Sequence, residues 1–350
     1  MAESSPNPSE SPTMASETRP ARDWSKILAP YRDPKTSRSI FEVIVTVAPL
    51  LTLWTIAWAL HARGWWWAAL LLTIPASFFL VRLFMIQHDC GHGSFFRNRQ
   101  ANEWVGRIAG VFTITPYHYW RQTHAMHHAT SGNLDRRSGL GEIETLTVEE
   151  YRALTPMRRF GYRLYRHPLV MFGLGPAYVF MISQRVPLGM MRQGWRPWAS
   201  VLGNGVAALV GLGGLALLFG VAPVLIVNVV TMLLAATIGV WLFYVQHQFE
   251  GAAWAREGQW NRDEAALAGS SHYDLPQPFR WLTGNIGIHH VHHLSSRIPF
   301  YRLPKVLKDH PELNAMSRLG FWESFRCARL ALWDEAAGRL VSFREARAAA

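Results

Sequence analysis

The residues able to do chemistry are histidines, and their spacing carries the first inference. Fifteen of the 350 residues are histidine. Most fall in three short runs: His88-Asp89-Cys90-Gly91-His92, His124-Ala125-Met126-His127-His128 and His289-His290-Val291-His292-His293. Within them His88 and His92 are spaced i, i+4, while His124, His127, His128 and His289, His292, His293 are spaced i, i+3, i+4. On an α-helix those offsets stack side chains on one face, one turn apart, so that two or three imidazoles can converge on one metal ion. A strand would send them to opposite faces. His247, in the stretch Tyr-Val-Gln-His-Gln-Phe-Glu, stands where a long apolar run ends and can reach the same place. Nine imidazoles exceed what one four- to six-coordinate ion holds, so the set His88, His92, His124, His127, His128, His247, His289, His292 and His293 points to two ions. Imidazole suits iron, zinc and copper alike, so the residue types alone do not choose the metal. The chain has no His-Glu-x-x-His of a zinc protease and no Glu-x-x-His pair of the soluble di-iron bundles. The predicted site is therefore all nitrogen. Asp89 and Asp135 can orient ligands by accepting an imidazole N–H, although Asp135 can equally pair with Arg136 or Arg137. Cys90, two residues beyond His88, points off the ligand face and reads as packing. His61, His118, His167, His272, His290 and His310 stay outside the metal set.

Positioning such a site falls to helices that cross a membrane. Spanning needs roughly 20 apolar residues. The stretch VIVTVAPLLTLWTIAWALHA lies between Glu42 and Arg63, and GWWWAALLLTIPASFFLV lies between Arg63 and Arg82. From Pro197 to Phe249 no Lys, Arg, Asp or Glu occurs, and the region from Gly220 to Pro223 divides this run in two. The expected fold is an all-α membrane protein with four spans, about 41–62, 64–86, 199–219 and 222–245, arranged as two hairpins. Pro49 and Pro75 are tolerated in such spans, where neighbouring groups re-satisfy the backbone. Shorter apolar stretches at about 104–115 and 169–182 are expected as interfacial or re-entrant helices. Both termini and the loop from about 87 to 196 then share one side with the histidines, forming a helical cap that carries the di-metal site. Every Lys and Arg except Arg63 lies on that side or, for Arg82, near the end of a span facing it. The positive-inside rule makes it the cytoplasm.

The net charge of +11 fits this topology better than nucleic-acid binding, because the chain is 49 % apolar and only 17 % charged. Two cysteines, Cys90 and Cys327, are too few for a disulfide framework or a zinc ribbon. Residues 1–23 are rich in Ser, Pro, Glu and Thr and lack an apolar run, so a disordered tail is expected there. Residues 321–350 are expected as a C-terminal helical tail on the cytoplasmic side. Metal transport fits poorly, since the spans from Pro197 to Phe249 hold no carboxylate and the histidines sit outside them.

The three runs resemble the histidine boxes H-x3-H, H-x2-HH and H-x2-HH of the integral-membrane fatty acid desaturase and hydroxylase superfamily. The resemblance extends to TSGNLDRRSGLGEIETLTVEEY (130–151), FYVQHQFE (243–250) and the region 272–304 that holds GNIGIHHVHHL. Over about residues 40–310 the chain is most similar to bacterial acyl-lipid desaturases of the Δ12 or omega-6 type, which makes 24–320 the desaturase domain. In that family the boxes bind two non-haem iron ions that activate O2 and remove two vicinal hydrogens from an acyl chain. Front-end desaturases of the Δ6 type carry Gln at the first position of the third box and often a fused haem domain, whereas His289 stands here and no His-Pro-Gly-Gly motif occurs. In the stearoyl-CoA type an Asn lies four residues before the additional histidine, and here that residue is Phe243. Asn285, four residues before His289, is a candidate substitute, and His272 is a further candidate close to the ligands.

A saturated C–H bond offers neither an acidic proton nor a leaving group, so the resemblance implies oxidation by a metal–oxygen centre rather than acid–base catalysis. Electrons must come from outside, because the chain holds no Rossmann glycine motif, haem motif or cysteine cluster. A ferredoxin or cytochrome b5 is the expected donor, and Arg152, Arg158, Arg159, Arg163 and Arg166 can receive an acidic partner or serve membrane orientation. The alternative within the same superfamily is a hydroxylase or ketolase acting on carotenoid, sterol or alkane.

Overall fold

The computed structural model describes residues 23–137 and 139–348; the N-terminal tail expected over 1–23 lies outside them except for Asp23. Helices α1 (Thr36–Ala62) and α2 (Trp66–His92) form the first hairpin, followed by α3 (Arg99–Phe112) and α4 (Tyr117–Thr130). The second hairpin is α5 (Trp195–Phe219) and α6 (Val221–His247), and α7 (His289–Leu294) carries the third histidine run. By length and composition α1, α2, α5 and α6 can each cross a membrane. Pro49 and Pro75 sit inside continuous helices, as the apolar setting allows. A single residue, Gly220 at φ +88°, separates α5 from α6, a conformation that costs glycine no Cβ clash.

The spans run further than hydropathy suggests. Apolar sequence stops near residue 86, but the backbone of α2 stays helical through His92 and ends at Gly93, whose left-handed conformation caps the helix. In the same way α6 continues to His247. Two of the four spans thus deliver histidines directly on their last turns, at the same end of the bundle.

Helix α2 is the central element, packed against α1 and α6 through Leu80, Val81, Leu83 and Ile86, all buried. Trp54 of α1 donates its indole N–H to the Thr231 hydroxyl of α6 at 3.3 Å, and stacks on Trp58 and Phe112. By contrast α5 leaves Leu209, Val210, Leu217 and Leu218 exposed, a surface that suits lipid rather than water. Over the first of the shorter apolar stretches, helix α3 is amphipathic, exposing Trp104 and Ile108 on one side and carrying Glu103 and Arg107 on another. The stretch expected as a second interfacial helix is a wide, largely π-type helical segment across Val170–Leu174, Gly175–Ala177 and Tyr178–Ile182.

The cap is not wholly helical. Among the described residues five short strands, β1 (Leu146–Thr147), β2 (His272–Asp274), β3 (Arg318–Gly320), β4 (Leu330–Asp334) and β5 (Arg339–Ser342), form a sheet of order β1-β4-β5 and a pair β2-β3. The expected helical tail over 321–350 is corrected accordingly: helix Phe321–Cys327 is followed by an antiparallel hairpin pairing Leu332 with Val341 and Trp333 with Leu340. β1 adds in parallel, Leu146 opposite Leu332. Trp333 and Leu340 pack into the main core, so the segment is a fixed part of the cap.

Candidate metal centre

The four elements that end at one pole of the bundle bring their histidines to one point. α2 supplies His88 and His92, α4 supplies His124, His127 and His128, α6 supplies His247, and α7 supplies His289, His292 and His293. They divide into two groups, five (His88, His92, His124, His128, His292) and four (His127, His247, His289, His293), and within each group one nitrogen per residue lies within 4.8 Å of every other. The four are all buried, while His92, His124 and His128 of the five are partly exposed. The groups touch, with the rings of His128 and His293 stacked at 4.1 Å between centroids.

The nitrogen contacts are those of a ligand set. His124 Nε2 lies 3.0 Å from His92 Nε2 and 3.1 Å from His128 Nε2, which lies 3.1 Å from His292 Nε2. A neutral imidazole nitrogen carries either one proton or one lone pair, and one N–H cannot serve two acceptors. In this chain of four nitrogens at least one contact therefore has no hydrogen bond, and a shared cation resolves it. Two nitrogens bound to one ion at about 2.1 Å are about 3.0 Å apart at right angles and about 3.4 Å apart in a tetrahedron. The short contacts of the first group are of this size, and so are those of the second, where His247 Nε2 is 3.1 Å from His127 Nε2 and 3.0 Å from His289 Nε2. The residues present thus fit two metal ions.

Neighbouring groups fix the rings. The Asp89 carboxylate faces His88 Nδ1 at 3.1 Å with one oxygen and accepts the Phe300 backbone N–H at 2.6 Å with the other, tying the first box to the loop after the third. His247 Nδ1 faces the Gly269 carbonyl at 3.3 Å. The Glu142 carboxylate lies 3.5 Å from His127 Nδ1 and accepts the Thr130 hydroxyl at 3.1 Å. Trp120 stacks on His124 at 4.6 Å, and Phe243 packs against the rings of His127 and His247 at 5.0 and 5.3 Å. Burial first, and neighbouring imidazoles second, hold His124, His128, His289, His292 and His293 well below the ordinary histidine range. Neutral rings are the form that ligates metal.

Of the other predicted residues only Asp89 meets the histidines. Asp135 accepts from Arg256 at 2.6 Å and from the Glu257 backbone N–H at 2.9 Å, so its carboxylate closes a loop and does not touch the two groups. Asn285, at φ +54°, donates its amide N–H to the Phe300 carbonyl at 3.2 Å and stands outside both groups. His272 lies on β2, its Nδ1 facing the Asn314 carbonyl at 2.9 Å. His290 Nε2 faces the Leu313 carbonyl at 2.8 Å, on the other side of α7 from the ligand face. Cys90 is a free, buried thiol. Arg166, grouped above with surface arginines, is interior, donating to Gln248 Oε1 at 2.9 Å and to the Leu330 carbonyl at 2.8 Å. Glu142 was not singled out from sequence, since no helix period relates it to the ligands; Trp120 was missed although it stands one helical turn before His124, a spacing that could have found it.

Comparison with known proteins gives a consistent picture. The sequence model of the family described as Fatty acid desaturase matches residues 63–325. The chain is 40 % identical over 323 residues to a fatty acid desaturase of Bacillus subtilis (strain 168), covering 92 % of this chain and 91 % of that protein. It is 29 % identical over 255 residues to an sn-1 acyl-lipid omega-3 desaturase (ferredoxin) of Synechocystis sp., covering 71 % and 68 %. An sn-1 oleoyl-lipid 12-desaturase of the same organism is 26 % identical over 284 residues, covering 77 % and 75 %.

Proposed function

The chain belongs to the fatty acid desaturase family, and from that premise we propose that it inserts a double bond into the acyl chain of a membrane lipid, using O2 at a pair of iron ions held by the nine clustered histidines. The observation that carries this reading is the division of nine converging imidazoles into groups of five and four. Iron is favoured over zinc by membership of the desaturase family, because removing hydrogen from a saturated chain needs a redox-active metal and zinc is not one. When bound, the iron pair supplies the activation of O2 that an unactivated C–H bond requires.

The chain's own residues do the rest. Asp89 orients the ring of His88, and the Glu142 carboxylate stands 3.5 Å from His127 Nδ1 without a hydrogen bond. Phe243 places an aromatic face against His127 and His247, where the stearoyl-CoA type has an amide, and helps keep water from the buried group. The partly exposed edge of the five-histidine group is the side from which electrons arrive. The donor is a ferredoxin or a cytochrome b5, and the ferredoxin named for the Synechocystis omega-3 relative supports the former. The carrier is an acyl lipid, as the names of the two Synechocystis relatives state for those proteins. The concentration of Lys and Arg at the histidine end, with Arg63 at the other, supports a cytoplasmic site with both termini on that side of a bacterial inner membrane.

The test is expression in a host with a matching reductase, followed by gas chromatography of total fatty acids with and without O2. A new unsaturated acid that appears only with O2 is expected. A hydroxylated acid, or turnover of a carotenoid with acyl chains unchanged, would replace this reading by that of a hydroxylase or ketolase of the same superfamily.

A further inference from the structure

Beside the metal centre, α3, α4 and the first turns of α5 line an open cavity of about 680 Å3 that none of the nine clustered histidines lines. We propose that this cavity binds an anionic glycerophospholipid that the protein retains, with the phosphate among three arginines and a headgroup hydroxyl on Asn204.

Its mouth is cationic. Arg107, Arg121 and Arg196 line it, and the neighbouring carboxylate, Glu103, is shared by two of them. Arg107 also meets His118 Nε2 at 2.7 Å. Three guanidiniums against one carboxylate leave two positive charges facing the cavity. Guanidinium presents the planar pair of N–H donors that suits a phosphate.

Its wall is apolar and unfilled. Ala199, Gly203 and Ala207 recur at every fourth residue of α5 and line the cavity, and a Cβ at Gly203 would meet nothing within 4 Å. These residues belong to a helix able to cross a membrane, and the exposed Trp195 lines the cavity as an interfacial aromatic residue does. The cavity therefore opens where lipid headgroups lie, and its wall continues to acyl-chain depth.

The deeper end asks for a donor. Asn204 is only 9 % exposed, and its Nδ2 donates to the Gly110 carbonyl at 2.8 Å, which fixes the amide. Asn204 lines the cavity, and its Oδ1 is buried without a hydrogen-bond partner. An unpaired buried acceptor is costly, and a ligand hydroxyl removes that cost. One turn of α3, a rise of about 4.5 Å, separates Arg107 from Gly110. A phosphate at the arginines and a hydroxyl at Asn204 thus fall within one phosphoglycerol unit.

The ligand is not the chain that is oxidised. None of the nine clustered histidines lines the cavity, although Arg121 lines both it and the hollow beside His92. The inference consequently stands apart from the proposed reaction.

The test uses the full chain in mild detergent, with native mass spectrometry measuring retained lipid. Phosphatidylglycerol, which has the anionic phosphate and free hydroxyls, is compared with phosphatidylcholine of the same acyl chains. Wild-type protein is expected to retain phosphatidylglycerol preferentially. The Arg107→Gln, Arg196→Gln double variant should retain it on the order of tenfold less. Asn204→Leu should lower retention severalfold while leaving the melting temperature in phosphatidylcholine micelles unchanged or higher, which separates lost binding from lost folding. Equal retention of the two lipids, or variants that retain as much as wild type, would overturn the proposal. So would glycerol 3-phosphate binding as tightly as the lipid, or an acidic protein, in place of lipid, binding through these arginines.

Discussion

At the scale of single residues the site separates ligands from their neighbours in the same run. His292 Nε2 sits 3.1 Å from His128 Nε2, whereas His290 points to the Leu313 carbonyl. His292→Ala is expected to abolish product while the protein still inserts in the membrane, and His290→Ala to keep its metal and lose stability only, by about 1–3 kcal/mol from the stranded carbonyl. Metal analysis of the two membrane-extracted variants checks this; metal loss in His290→Ala would mean that α7 offers its other face. Protonation gives a second expectation. In the metal-free protein His124, His128, His289, His292 and His293 have folded values well below the unfolded value near 6.5. Below that value the unfolded chain binds more protons than the folded one, so stability is flat above about pH 6.5 and falls as pH drops beneath it. The thermal midpoint of metal-free protein should be lower at about pH 5 than at about pH 7.5, and a midpoint that rises on acidification contradicts the burial of these rings. The ligands were legible in the sequence because helical period and metal convergence are the same geometric statement. Their supports were legible only where they adjoin a ligand, as Asp89 does. Asp135 failed as a candidate because its partner, Arg256, lies 121 residues away in sequence, and Glu142 was missed for the same kind of reason.

Elements were legible in proportion to their length. Four apolar runs gave four spans, and the main discrepancy is at their ends, where polar histidines stop the hydropathy signal but not the hydrogen-bonded helix. The strands of the cap went unseen because β4 and β5 hold five and four residues in a charged region, and they form by pairing with each other and with distant β1. One backbone approach in the cap is directly testable. Gly287, two residues before His289, passes so close to β2 that an added Cβ would lie 2.3 Å from the Tyr273 carbonyl oxygen. Gly287→Ala must therefore push α7 away from β2, at a cost of about 1–3 kcal/mol. It should lower the thermal midpoint and reduce metal bound by the four-histidine group, read by metal content per chain. Full metal occupancy in this variant would show that the third box is not held in place by that contact.

Across the whole molecule, membrane and cap are coupled through a buried ion pair. Arg82 of α2 pairs with Glu42 of α1, donates to the Trp281 carbonyl and lies 3.9 Å from the Trp281 ring centre, while Glu42 also accepts from Arg38 at 2.7 Å. The pair joins the first hairpin to the segment leading into the third histidine run. Arg82→Met leaves Glu42 buried with only its half-exposed partner, and is expected to cost about 3 kcal/mol. Adding Glu42→Met should recover most of that loss, since a paired burial is often replaceable by apolar side chains. Denaturation of the single and double variants in detergent checks the cycle, and simple additivity of the two losses would contradict it. The central claim concerns the nine histidines, and metal content of the membrane-extracted, full-length protein tests it most directly. Two iron ions per chain are predicted, falling to about one when His289 and His293 are both replaced by Ala and only the five-histidine group remains complete. Zinc in place of iron, or a single ion per chain in the unaltered protein, would contradict it.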